Sequence, residues 1–420
     1  MLVSRFVFLL VFLSICGEMG RPAHAQVIAP QPFAFDRPHR HQAHVPIQVQ
    51  RNLLVVKAQL NGAGPFNFLL DTGVSTSILT ASALADSLHL RHGHEFRVVG
   101  AGGLDSGMLA YQTDSVRVTM PGIVAANMTW LVLSEDVLNL SGYVGVPIHG
   151  ILGSELFRSF VVTLRPEQGQ VLLEAPATYR APHGRQWASL PLALENNKAY
   201  LTVPVQVTDS LTLPLKLVLD TGASHALSLE LDSDPRLVAP AQRLPADLGR
   251  GLTGTVHGFL GRVDGIRLGR NVLHTVLTSF PNTADVHRRI DVPRNGNVGF
   301  ELLKRFSLVI DYPHQRLLLR PNLRFNDPFE HDMCGVELLA TGPNYRRFLI
   351  LRVVPGSPAF AAGLEVDEEL MSINFIPAEV LSLSQLDRML HSEDGHMLFM
   401  VLRRPDGSMH ATNVRLKRQI

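Results

Sequence analysis

The chain of 420 residues has only two cysteines, Cys16 and Cys334. Once an N-terminal export segment is removed only Cys334 remains, which excludes an internal disulfide and leaves stability to packing. Charge is equally sparse: 38 Lys and Arg stand against 37 Asp and Glu, a formal +1, with 18% of residues charged. That balance provides no basic field for a phosphate backbone or an anionic lipid surface, so no nucleic-acid partner is expected. After the first residues, no apolar and uncharged run approaches the roughly 20 residues needed to span a bilayer, so no transmembrane helix is expected in the mature chain. The histidines of Arg37-Pro38-His39-Arg40-His41-Gln42-Ala43-His44 lack a ligand set that would fix a coordination geometry. They read as a solvated leader rather than a metal site, and no metal or cofactor is called for.

What is present begins with export. Arg5, the apolar run 6–15 and Ala23-His24-Ala25 supply the charged, apolar and small-residue parts of a secretory signal, with Gln26 starting the mature chain. A membrane anchor is the competing reading, but the run is too short to span. Leu13-Ser14-Ile15-Cys16 is similar to a bacterial lipoprotein signal, with Ile15 where that family prefers a small residue. Composition is 46% hydrophobic, enough for two or three domain cores at roughly 100–200 residues each.

Comparing the chain with itself reveals a duplication. Leu69-Leu70-Asp71-Thr72-Gly73-Val74-Ser75 returns as Val218-Leu219-Asp220-Thr221-Gly222-Ala223-Ser224, and Gly153-Ser154-Glu155-Leu156-Phe157 as Gly299-Phe300-Glu301-Leu302-Leu303. From Asp to Gly is 82 residues in the first copy (153 − 71) and 79 in the second (299 − 220). Val171-Leu172-Leu173 then falls opposite Leu317-Leu318-Leu319 without a gap. Short apolar runs broken by Gly, Pro, Asn and Asp predict many short strands in each copy, a closed or sandwiched β architecture. Short helices are predicted at 155–160 and 301–306.

An Asp ending a buried apolar strand is costly to keep charged unless donors face it or a second carboxylate shares its proton. Two such aspartates in aligned copies suggest the second solution. The hydroxyls of Thr72 and Thr221 can bond across to the opposite copy. Gly73 and Gly222 admit close backbone approach, and Ser75 and Ser224 are placed to donate to the carboxyls. One Asp-Thr-Gly would arise by chance in about one chain in ten of this length; two within aligned repeats are specific.

Residues 45–321 resemble tandem retropepsin-like aspartic protease domains. In that family an apolar strand delivers Asp-Thr-Gly-Ala/Ser, and a later apolar-apolar-Gly strand crosses beneath it. Ile151-Leu152-Gly153 fits the second element, and Asn297-Val298-Gly299 fits it with Asn in an apolar place. The resemblance implies a mainly β, bilobal protease in which lobes 45–180 and 187–324 of one chain pool Asp71 and Asp220 about a pseudo-two-fold axis, after a signal at 1–25 and a leader at 26–44. One monomer would hold a whole active site. It also implies glycine-bearing flaps at Gly100, Gly102 and Gly103 and at Gly251 and Gly254; ordinary hairpin turns are the alternative there, and neither segment has a pepsin-like flap Tyr. The paired aspartates would hold one proton between them and activate water against a peptide bond.

After Pro321 the repeat stops. The run Pro355-Gly356-Ser357-Pro358-Ala359-Phe360-Ala361-Ala362-Gly363-Leu364 followed by Ile373-Asn374 resembles a bacterial PDZ domain over residues 331–417, an α+β fold. The resemblance implies that Gly335, Val336, Glu337 and Leu338 form an edge that captures a peptide C-terminus. A PDZ fold packed on the protease without a ligand is the alternative, and Cys334 reads as a small buried hydrophobe. Three functions stay open: an exported aspartic endopeptidase, periplasmic or secreted; a catalytically silent peptide binder on the same scaffold; and an envelope scaffold protein.

Overall fold

A computed structural model describes residues 13–14, 32–102, 107–252, 254–286 and 292–420. The segment expected to direct export, apart from residues 13–14, and the lipidation candidate Cys16 lie outside them. The chain is mainly β, built from several sheets.

The two copies repeat one local plan. In the first, strand Leu53–Leu60 folds back on Ala63–Leu70, whose last residues lie parallel to Gly150–Leu152. In the second, Lys198–Thr208 folds back on Leu211–Leu219, and that strand lies parallel to Gly296–Val298. Both crossings are buried on all sides: Phe68, Leu70, Ile151, Leu152, Leu217, Leu219 and Val298 have essentially no exposed surface. Continuous apolar runs are what such doubly covered strands require. Glu155–Ser159 and Phe300–Leu303 form the short helices that follow each crossing.

A sheet made jointly by the copies ties them together. Val161–Arg165 pairs antiparallel with Phe306–Asp311, with Thr163 opposite Val309, and each is flanked by its own partner, Gln170–Glu174 or Arg316–Pro321. The outer positions are taken by Gln42–Gln50 and by Ala188–Pro191. One face, with Val162, Leu164, Leu308, Ile310, Leu317 and Leu319, enters the main core. The other, with Val161, Val309 and Leu318, is covered by Tyr179, Ala181 and Trp187.

Residues 181–187, between the two copies, supply part of that apolar cover and lead into the strand Ala188–Pro191. One sequence reading is corrected here. The leader is not wholly solvated: Phe33 is buried, its N–H donates to Ser159 Oγ at 3.2 Å, Phe35 packs on Phe160, and residues 42–46 form a strand beside 170–174. Within it, Arg40 pairs with Asp36 and His44 Nδ1 meets Gln170 Oε1.

The C-terminal residues build a separate core. Strands Val336–Thr341, Arg347–Val353, Glu369–Ile373, Met397–Arg403 and Met409–Arg415 form a sheet in that order, with Ile376–Pro377 pairing on the third. Helix Leu383–Leu390 closes it, started by a capping box between Ser382 and Gln385. Leu386, Leu390, Phe348, Ile373, Met400 and Cys334 fill the interior. No helix among the described residues is long and apolar enough to cross a membrane.

Candidate functional site

The strands Ala63–Leu70 and Leu211–Leu219 end at Asp71 and Asp220, both buried. Each aspartate is pinned by its crossing strand: Asp71 N–H donates to Leu152 O at 2.9 Å, and Asp220 N–H to Val298 O at 3.0 Å. The next residues lock the copies together. Thr72 Oγ1 donates to Leu219 O at 2.6 Å and accepts from Thr221 N–H at 2.9 Å; Thr221 Oγ1 donates to Leu70 O at 2.9 Å and accepts from Thr72 N–H at 3.1 Å. Every group in this square is buried, so each hydroxyl satisfies a donor and an acceptor that have no access to water.

The glycines set the closeness of approach. A methyl group on Gly222 would overlap the Asp71 carboxyl, and one on Gly73 would crowd the Asp220 carboxyl at 2.9 to 3.1 Å. Each carboxyl therefore sits against the glycine of the other copy, and the two carboxyls face one another. Asp71 Oδ1 accepts the Gly73 N–H at 2.6 Å, whereas its Oδ2, buried, has no donor. Asp220 Oδ1 accepts the Gly222 N–H at 3.1 Å and its Oδ2 the Asn297 amide at 2.8 Å. Burial, then the neighbouring Asp220 charge, pushes Asp71 well above the usual carboxylate range. Burial also raises Asp220, against the opposing pull of the Asn297 amide and the positive charges of Arg294 and Lys198. Such a pair holds one proton between two carboxyls.

Ser75 and Ser224 do not serve the carboxyls, contrary to the sequence reading. Ser75 Oγ donates to Asn196 O at 2.8 Å, and the Ser224 carbonyl accepts from Asn52 Nδ2 at 3.3 Å. Asn52 and Asn196 lie in tight turns with positive φ, 60° and 49°. Each copy thus sends a hairpin turn to the serine segment of the other, held by the Ser75 hydroxyl on one side and by the Ser224 backbone carbonyl on the other. Residues missed by the sequence reading are Asn297, its neighbour His225, and the buried Lys198. Only Asn297 left a signal, as the polar break in an apolar-apolar-Gly strand.

The described flap candidates lie at or beside the ends of paired strands. Gly100 ends strand Glu95–Gly100, which pairs with Met108–Met120; Gly251 and Gly254 flank the turn between Arg243–Gly251 and Gly254–Leu268. Described residues beside them meet across the two copies. A side chain on Gly251 would overlap the Ala101 carbonyl, Leu252 is buried among first-copy residues including Val98 and Met108, and Gly102 N–H donates to Asp285 O at 3.2 Å. Gly103 lies outside the described residues.

The edge expected to receive a chain end is already engaged. Gly335, with φ +84°, donates its N–H to Asp332 Oδ2 at 2.6 Å, and Cys334 donates to Oδ1 at 3.0 Å. A carboxylate of the chain itself occupies the N–H groups at the start of the strand. Helix Leu140–Val144 of the first copy packs on Val336–Thr341, bringing Gly142 against Leu339. Arg51 fixes the contact by bonding Asp387 at 2.6 Å and the Tyr143 carbonyl at 2.9 Å. Val336 and Leu338 point into the core, while Glu337 is buried, its carboxyl oxygens lack hydrogen bonds, and burial pushes it up to about 7. Among the described residues no three His, Cys, Asp or Glu side chains gather into a metal-binding group.

Residues 56–156, which include the first Asp-Thr-Gly and its crossing strand, match a family model described as aspartyl protease. No curated protein matches the chain. Among solved structures, the soybean basic 7S globulin is similar at 10% identity and TM-score 0.39, over 69% of this chain and 97% of that one. A photosystem II D1 C-terminal processing protease is similar at 21% identity and TM-score 0.19, over 20% of this chain and 22% of its own length.

Proposed function

We propose that the chain is an exported aspartic endopeptidase, periplasmic or secreted, whose two lobes complete one active site at Asp71 and Asp220. The observation that supports this most directly is the pair of buried carboxyls, each against the other copy's glycine and held by the crossed threonines. The dyad's one proton defines the chemistry. The ionised carboxylate takes a proton from a bound water as the water oxygen bonds to the peptide carbonyl carbon. The protonated carboxyl gives its proton to the carbonyl oxygen, so a neutral gem-diol forms without a free oxyanion. Return of one proton to the amide nitrogen then breaks the C–N bond, and the remaining hydroxyl proton restores the dyad. A buried, rigid pair suits this work because its geometry needs no rearrangement as charge moves. The meeting hairpins around Ala101 and Gly251 are the flaps in this reading, one from each lobe.

The C-terminal module acts in this reading as a packed accessory domain. The N–H groups of Cys334 and Gly335 ahead of its first strand are taken by Asp332, and helix Leu140–Val144 packs on that strand.

A peptide library tests the reading, incubated from acidic to neutral pH with and without pepstatin, a hydroxyl-bearing transition-state mimic. Pepstatin-sensitive cleavage that disappears in folded Asp71→Asn and Asp220→Asn variants is expected. Binding of peptides without cleavage at any pH would instead make the chain a silent binder.

A further inference from the structure

The two crossing strands differ at one equivalent position. Ile151 pairs with Leu69 below Asp71, and Asn297 pairs with Val218 below Asp220. Ile151 is wholly buried among apolar neighbours including Val55 and Leu69. Asn297 is equally buried, yet its Nδ2 donates to Asp220 Oδ2 at 2.8 Å and its Oδ1 meets His225 Nε2 at 3.1 Å. His225 is buried too and held neutral, down at about 4, by that burial. With its Nδ1 lacking any hydrogen bond, the imidazole carries its hydrogen on Nε2 and donates to the amide oxygen. That donation fixes which way round the amide sits and aims its N–H at the carboxyl. Asp220 accordingly has two donors, one on each oxygen, whereas Asp71 has one, and its bare Oδ2 is where a proton is needed.

Resting on the aspartic protease reading, we propose that Asn297, oriented by His225, is a positioning residue that places the dyad's single proton on Asp71 and keeps Asp220 ionised. Asp220 is then the base that takes the proton from water, and Asp71 the acid that protonates the carbonyl oxygen. The other charged groups acting on Asp220 are Asp71, Lys198 and Arg294. Of these, Lys198 acts on both carboxyls, and Arg294 bonds Glu230 at 3.2 Å and pulls on Asp220 through space. The buried Tyr312 faces both carboxyls as a neutral phenol. Asn297 touches Asp220 alone.

The test compares the full-length wild type with Asn297→Ile, which gives the second copy the first copy's residue, and with the swap Ile151→Asn/Asn297→Ile. Two readouts are taken: kcat/KM against pH on a cleaved peptide, and the titration of the dyad by carboxyl carbon NMR of Asp-labelled protein, assigned with Asp71→Asn and Asp220→Asn. Losing a donor to the ionised form raises that form's pKa, so in Asn297→Ile the acid limb should move up by about one unit. That is about a tenfold loss of kcat/KM on the limb, while the basic limb stays in place. In the swap, the first carboxyl to ionise should become Asp71. A merely structural role would lower the whole profile and leave both limbs where they were, which overturns the proposal, as does an unchanged carboxyl titration. Asn297→Ser, smaller and polar, keeps the test decisive where the apolar variant fails to fold; it too should move only the acid limb. Absence of any cleavage by the wild type would sink the protease reading, while the NMR titration would still report where the proton lies.

Discussion

Replacing Thr72 by valine keeps the shape of the side chain and removes one hydroxyl from the buried square between the lobes. That hydroxyl donates to Leu219 O and accepts from Thr221 N–H. Valine leaves one buried carbonyl and one buried N–H without partners, at about 1–3 kcal/mol for each group. The expected loss is therefore about 2–6 kcal/mol, since the second hydroxyl, on Thr221, still bonds to Leu70 O and Thr72 N–H. Thr72→Ser keeps the hydroxyl and deletes a methyl group, for about 1 kcal/mol. Urea unfolding followed by tryptophan fluorescence measures both, with stability taken from the midpoint and slope. The chain has two tryptophans: Trp130 reports on the first-lobe core and Trp187 on the sheet shared by the lobes. A valine variant within about 0.5 kcal/mol of wild type, or one no worse than serine, would refute the claim that this hydroxyl joins the copies.

Gly222→Ala should fold less well and lose activity by at least about a hundredfold, because its methyl must displace the Asp71 carboxyl from productive geometry; activity within tenfold of wild type would contradict the packing described. Glu337 is buried with its pKa raised to about 7 from an ordinary value of 4.5, so the folded state binds the proton more tightly than the unfolded one. The stability it contributes is fully present below pH 4.5 and is lost as pH rises through 7, so Glu337→Gln should melt close to wild type at pH 5 and higher than wild type at pH 8. Equal melting differences at both pH values would show that Glu337 is not a buried titrating acid. Because both carboxyls come from one chain, specific activity should stay constant on dilution, and a fall that tracks a dimer-to-monomer change in light scattering would show pairing between chains.

The duplicated Asp-Thr-Gly, the crossing strands and the change of pattern after Pro321 were legible in the sequence. Each is a local signal: an apolar run with a set spacing before a turn, repeated at nearly equal intervals. The apolar runs also told strand from helix, and therefore the mainly β class. Partners across the chain were not legible, because alternation within a strand reports which face is buried and not what lies against it. Ser75 follows its aspartate by four residues, yet its hydroxyl goes to Asn196, 121 residues away; Asn297 stood out only as a polar residue in an apolar strand until folding set it beside Asp220, 77 residues earlier. Likewise, nothing in Asp332 announced that it would fill the N–H groups of Cys334 and Gly335. The residue types and their order pointed to two carboxyls that meet, since a shared proton and crossed hydroxyls make two buried Asp-Thr-Gly turns tolerable. Which donor faces which carboxyl was decided by tertiary structure alone, because a hydrogen bond depends on distances of about 3 Å between groups that the sequence keeps far apart.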